Sequence, residues 1–133
     1  MRVINKLYKD WSPSMKARLR SLSLRSAGDM CKIISNKVCD TFVILDETII
    51  GWSIYVLEPW YSNSPGDFML YVRSSYRRMG WGRKLVELAI NKYGSLKIHL
   101  WNECSGKFYS KMYFKEFTDK LDIVRGSNYL YVD

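Results

Sequence analysis

Arg77-Arg78-Met79-Gly80-Trp81-Gly82-Arg83-Lys84 sets four cations and two glycines, with no acid, between an apolar run from Phe68 to Val72 and a helix-like run from Leu85 to Tyr93. Strand, glycine turn, helix is an order that points several backbone N–H groups outward at a helix N-terminus, where the positive end of the macrodipole reinforces them. Gly80 and Gly82 remove Cβ atoms, so that an anion can approach the backbone or the chain can take a positive φ. A diphosphate is the natural ligand. The spacing is neither that of a Walker A loop nor that of a dinucleotide fingerprint. The plainer alternative is a basic surface loop that caps an ordinary helix.

A second group follows. Asn102, Ser105, Tyr109, Lys111 and Phe114 stand at offsets of zero, three, seven, nine and twelve. Taken with Arg-x-x-Gly-x-Gly over Arg77 to Gly82, after Leu70-Tyr71-Val72, the chain resembles the GNAT N-acetyltransferase superfamily. The first motif is similar to that family's acetyl-CoA pyrophosphate loop. The second is similar to its Asn, small residue, helix Tyr, Lys and Gly-Phe series, except that Tyr113 stands where the family usually has Gly. A Tyr in a left-handed helix-end position would be strained, so the last turn there is expected to be rebuilt.

The resemblance implies acetyl-CoA as co-substrate and no metal. It assigns the pantetheine path to Leu70, Tyr71 and Val72, and the diphosphate to Arg77, Arg78, Met79, Gly80, Trp81, Gly82 and Arg83. Asn102, Ser105 and Tyr109 complete the cofactor side. Acetyl transfer to a primary amine requires that an amine of pKa ~10.4 lose a proton, that an oxyanion meet donors and that a thiolate, from a thiol of pKa ~8.5, be protonated as it leaves. In related enzymes the helix Tyr serves the sulfur, which makes Tyr109 the proton donor here. The competing reading of Phe108, Tyr109, Met112 and Tyr113 is a core stripe. The oxyanion donor implied by the family is a backbone N–H near Tyr71 or Val72, on a strand that bulges in relatives. Some relatives keep a glutamate on that strand; this chain has none from Phe68 to Val72, so Glu58 and Asp67 are the candidate bases, acting through water, or neither is. His99 alternates with Ile98 and Leu100, and Cys104 reads as an incidental thiol; neither is assigned.

The elements that must position these residues read as α+β. Arg2 to Tyr8 alternates as a strand. Ser12-Pro13 is a helix start, with Met15, Leu19 and Leu22 on one face. Ser26 to Ser35 reads as a second helix, and Thr41 to Leu45 with Thr48 to Leu57 as a hairpin about Asp46-Glu47. Pro59 to Gly66 reads as a loop, Phe68 to Val72 as a strand and Leu85 to Tyr93 as a helix stopped by Gly94. Leu96 to Trp101 is a strand, Ser105 to Tyr113 a helix, and Leu121 to Val124 and Tyr129 to Val132 final strands. The order β-α-α-β-β-β-α-β-α-β-β matches the GNAT fold, as one domain over residues 1–133.

Composition agrees with one core: 133 residues, 47% hydrophobic, with five Trp, ten Tyr and five Phe. Such a chain is too short for two cores and too aromatic for disorder. No apolar stretch suits a leader or a membrane span, so a cytoplasmic protein is expected. Three irregularly spaced cysteines and a single histidine support neither a disulfide framework nor a zinc site. The net charge of +8 is segregated: residues 1–37 hold nine Lys/Arg against two acids, whereas 38–72 hold five acids and no Lys or Arg. Set at a cleft mouth, those acids would attract a cationic amine; otherwise they decorate turns. Trp60 and Tyr61 would clamp the acceptor or join two copies in a homodimer. The leading reading is an N-acetyltransferase acting on a protein or small-molecule amine. The alternatives are a GNAT toxin acetylating aminoacyl-tRNA, gripped through the basic N-terminal third, and an inactive GNAT-like module that binds protein or nucleic acid.

Overall fold

The computed structural model describes residues 1–23, 38–58, 65–100, 108, 117 and 119–125. Within them the chain runs β1 (Arg2–Leu7), α1 (Pro13–Ser23), β2 (Cys39–Asp46), β3 (Thr48–Val56), β4 (Asp67–Val72), α2 (Trp81–Tyr93), β5 (Leu96–Leu100) and β6 (Leu121–Arg125). Short 3-10 turns at Tyr8–Asp10 and Ser74–Tyr76 precede the two helices. The expected helix over 26–35, the strand over 129–132 and, apart from Phe108, the helix over 105–113 lie outside the described residues.

The strands form one sheet in chain order, β1-β2-β3-β4-β5-β6. The first four are antiparallel neighbours; β4, β5 and β6 are parallel. Side chains alternate across β4, as strand geometry requires. Met69 and Tyr71 pack with Tyr8, Trp11, Leu19 and Trp52 on the α1 side, while Phe68, Leu70 and Val72 pack against α2. The sheet is thus the middle of three layers. Each fully buried Leu, Ile or Val in them contributes about 1.5–3 kcal/mol.

Local chemistry explains the ends. Pro13 occupies the first helical position of α1, and the Met15 N–H donates to Ser12 Oγ at 3.2 Å. Met15, Leu19 and Leu22 are buried, as their spacing predicts. The β2–β3 hairpin turns at Glu47, whose φ is 52°, and carries a bulge between Ile44 and Leu45. Gly94 closes α2 with a φ of 89° and its N–H on the Ile90 carbonyl at 2.7 Å. The helix begins one turn earlier than the apolar periodicity indicates, at Trp81 rather than Leu85, because Gly80 is already its N-cap.

The far end of α2 is fastened by a buried carboxylate. Asp40, 2% exposed, accepts hydrogen bonds from the Tyr93 hydroxyl, from Lys92 Nζ at 2.7 Å and from Asn5 Nδ2 at 2.8 Å. Tyr93 also stacks on Tyr55, ring centroids 3.8 Å apart. The acids of the 38–72 segment therefore do not gather at one mouth. Asp46 and Glu47 sit at the hairpin tip, whereas Glu58 and Asp67 lie at the end of the sheet where β4 starts, as does Asp40, which is taken up in this buried structural network.

Candidate active site

The site is an opening between two parallel strands. Among the described residues the β4–β5 ladder consists of Asp67↔Lys97 and Phe68↔Ile98 and goes no further, although β4 continues to Val72 and β5 to Leu100. On its other edge β4 stays paired with β3 from Phe68 to Val72 without a register shift. The bulge that relatives carry in this strand is absent from that register. The Arg73 N–H donates to the Ile50 carbonyl at 2.9 Å, so antiparallel alternation turns the N–H groups of Met69 and Tyr71 toward β3, and those of Leu70 and Val72 toward the opening. Of the two expected donors, Val72 faces the gap and Tyr71 does not.

Gly51, which no motif marks, lets β3 and β4 close up beside this opening. A Cβ there would lie 2.8 Å from the Tyr71 carbonyl oxygen. Beyond Val72 the chain is held by its own arginines. Arg73 Nε donates to the Ile49 carbonyl at 2.8 Å, and Arg77 Nε to the Val72 carbonyl at 2.9 Å. The Arg77 guanidinium also lies 5.7 Å from the centre of the Tyr71 ring. Arg77 thereby occupies the one Val72 backbone acceptor that faces the gap.

The turn then delivers the N-terminus of α2. Arg78 and Gly80 take φ values of 64° and 86°. The first intrahelical bond is Lys84 N–H to the Gly80 carbonyl at 3.0 Å, so the N–H groups of the first turn precede it, and no side chain caps them. Space is open in front of Gly80: a Cβ would meet nothing within 4 Å. Gly82 differs. It lies inside α2, and a Cβ on it would come within 2.9 Å of the Phe108 ring. The packing of Phe108 is thus one reason for glycine at this position. Arg83 pairs with Glu87 at 3.0 Å along the helix, and Met79 is 65% exposed at the tip of the turn.

The remaining candidates are less gathered. Asp67 is buried at 1% at the start of β4, five residues from Val72, which is roughly 16 Å of strand. Glu58 is exposed just beyond β3. Asn102, Ser105, Tyr109, Cys104, Trp60 and Tyr61 lie outside the described residues, as does the His99 side chain. Among the described residues, no group of three or more His, Cys, Asp or Glu is placed to hold a metal ion.

An opened parallel pair with a basic, glycine-capped helix N-terminus at its wide end is an anion-and-amide cradle. Residues 37–116 match the family model described as the acetyltransferase (GNAT) domain, and the chain belongs to that family. Among solved structures it is similar to aminoglycoside N-acetyltransferase AAC(6')-Iy in complex with CoA, with a TM-score of 0.58 and 18% identity over 86% of this chain and 92% of that one. That likeness bears on the fold. No curated protein sequence matches the chain.

Proposed function

We propose that the chain, as one catalytic domain working in the cytoplasm, uses acetyl-CoA to acetylate a primary amine directly, on a protein or a small molecule. The observation that carries this reading is the coincidence of two features: β4 and β5 part after Phe68↔Ile98, and the uncapped first turn of α2 lies at the same end of the sheet. Bound acetyl-CoA supplies an acetyl group activated as a thioester. The first-turn amides of α2, with Arg78, Arg83 and Lys84 around them, hold its diphosphate. The Leu70 and Val72 backbone receives its pantetheine amides and presents the Val72 N–H as an oxyanion donor, while Arg77 keeps the Val72 carbonyl occupied. Tyr109 protonates the departing sulfur, beside cofactor contacts from Asn102 and Ser105. Asp67 and Glu58 sit at the closed end of the β4–β5 ladder, with roughly 16 Å of strand between Asp67 and Val72. That is out of one-water reach of an amine attacking beside the Val72 N–H, so the amine gives its proton to solvent. The name of the similar aminoglycoside acetyltransferase supports including small amines among the acceptors.

Thermal shift and intact-mass measurements with acetyl-CoA, over a panel of amines, peptides and charged tRNA, test the proposal. The expected result is stabilisation by acetyl-CoA and a gain of one acetyl group on an amine or peptide. Transfer to charged tRNA alone would favour the toxin reading. The absence of both stabilisation and transfer would overturn an acetyl-CoA-dependent activity.

A further inference from the structure

A groove of about 700 Å³ runs along the opposite edge of the sheet, between β1 and the start of α1, lined by Arg2, Ile4, Lys6, Trp11, Met15 and Arg18. Ile4, Trp11 and Met15 are among its apolar members, and Arg2, Lys6 and Arg18 are its cations. Among the described residues no carboxylate pairs with Lys6 or Arg18: Lys6 Nζ sits 4.8 Å from the centre of the Trp11 ring, and Arg18 Nη1 lies 3.9 Å from Met15 Sδ. Cation–π and sulfur contacts fix such a side chain and leave its full charge facing out. Asp46 and Glu47 line the end of the groove beside Arg2, which pairs with Leu45, while Lys6 stands opposite Thr41 toward the other end.

The strand beside it is an edge. Among the described residues, β1 is first in the sheet order and pairs with β2 alone. The Leu57 N–H bond to the Val38 carbonyl fixes which β2 residues face β3. Alternation across β2 then turns Arg2, Ile4 and Lys6 toward β2 and the N–H and C=O groups of Val3 and Asn5 to the open side. Val3 also exposes 41% of its surface. A second copy docking strand to strand would bring Arg2 and Lys6 against their own kind, which disfavours self-association.

We propose that β1 and its groove form a docking site for an extended acidic peptide segment of a partner protein, which adds as a strand to β1. Its carboxylates would lie beside Lys6 and Arg18, away from Asp46 and Glu47, and its apolar side chains would lie over Ile4, Trp11 and Met15.

Fluorescence anisotropy on the full chain tests this with a labelled, end-capped peptide of alternating Glu and Val, its Lys-Val counterpart and a single-stranded RNA oligomer. The acidic peptide is expected to bind at least tenfold more tightly than the other two, and more weakly as salt rises. Val3→Pro removes an outward N–H without breaking a β1–β2 bond and is expected to weaken binding at least tenfold. The paired reversal Lys6→Glu with Arg18→Glu should do the same and favour the Lys-Val peptide. Melting temperatures confirm that the variants are folded; if Val3→Pro fails to fold, the charge-reversal pair decides. Equal binding of the two peptides, tighter binding of RNA, or wild-type affinity in the charge-reversed variant overturns the proposal.

Discussion

Gly80 and Gly82 stand two positions apart and are glycine for different reasons. Gly80 has a positive φ with open space before it; Gly82 has Phe108 pressed against it. The first reason can be read in a turn motif. The second depends on a residue in a later element, and no local pattern carries it. The two therefore fail differently when changed. Gly80→Ala should cost about 1–2 kcal/mol through the left-handed backbone. Gly82→Ala should also destabilise the protein, although Ala in a helix ordinarily gains about 1 kcal/mol over Gly. Its loss should be partly restored by adding Phe108→Leu, with a coupling of ~0.5–3 kcal/mol in a double-mutant cycle of urea melts. The charges of the turn show the same limit: Arg77 reads as a ligand cation in the sequence, and its Nε holds the Val72 carbonyl. At the reacting centre, Tyr109→Phe deletes only a hydroxyl. If Tyr109 is the general acid, turnover on the acceptor found by the panel should fall ~10²–10⁴-fold at unchanged melting temperature.

Elements were legible where periodicity and caps agree. The Ser12-Pro13 start, the Met15, Leu19 and Leu22 face and the Gly94 stop all stand where the sequence places them. The role of Asp40 was not legible, because its partners come from β1 and from the end of α2, 35 to 53 residues away. Burial, followed by the hydrogen bond to Asp40 and its charge, raises the Tyr93 hydroxyl above its ordinary value. The neutral form is thus favoured in the fold. Its stabilisation should be complete below the unfolded value of about 10 and lost as pH climbs from there toward the higher folded value. Tyr93→Phe should cost ~1–3 kcal/mol near neutrality, since Asp40 loses a donor, and should flatten the alkaline decline; melting temperatures across that range measure both. At the hairpin tip, Glu47→Gly should raise stability by roughly 1 kcal/mol in urea unfolding, by relieving a left-handed backbone that Gly adopts freely.

At the scale of the whole molecule, the layers and strand order followed from the order of elements, but the opening between β4 and β5 did not. Where a parallel ladder stops depends on how two crossovers settle against the sheet, and neither Phe68 nor Ile98 announces it. The charge map changed in the same way: acids that are neighbours in sequence are dispersed to a buried network, a hairpin tip and the closed end of the ladder. The account rests on the claim that acetyl-CoA lies in that opening with its diphosphate on the first turn of α2. Amide hydrogen exchange with and without acetyl-CoA tests this most directly, because Trp81 and Gly82 precede the first intrahelical bond and should exchange quickly in the free protein. Slowed exchange at Trp81 and Gly82, together with Leu70 and Val72, is the predicted result. Unchanged exchange at all four amides under saturating acetyl-CoA, or protection confined to another part of the chain, would contradict it.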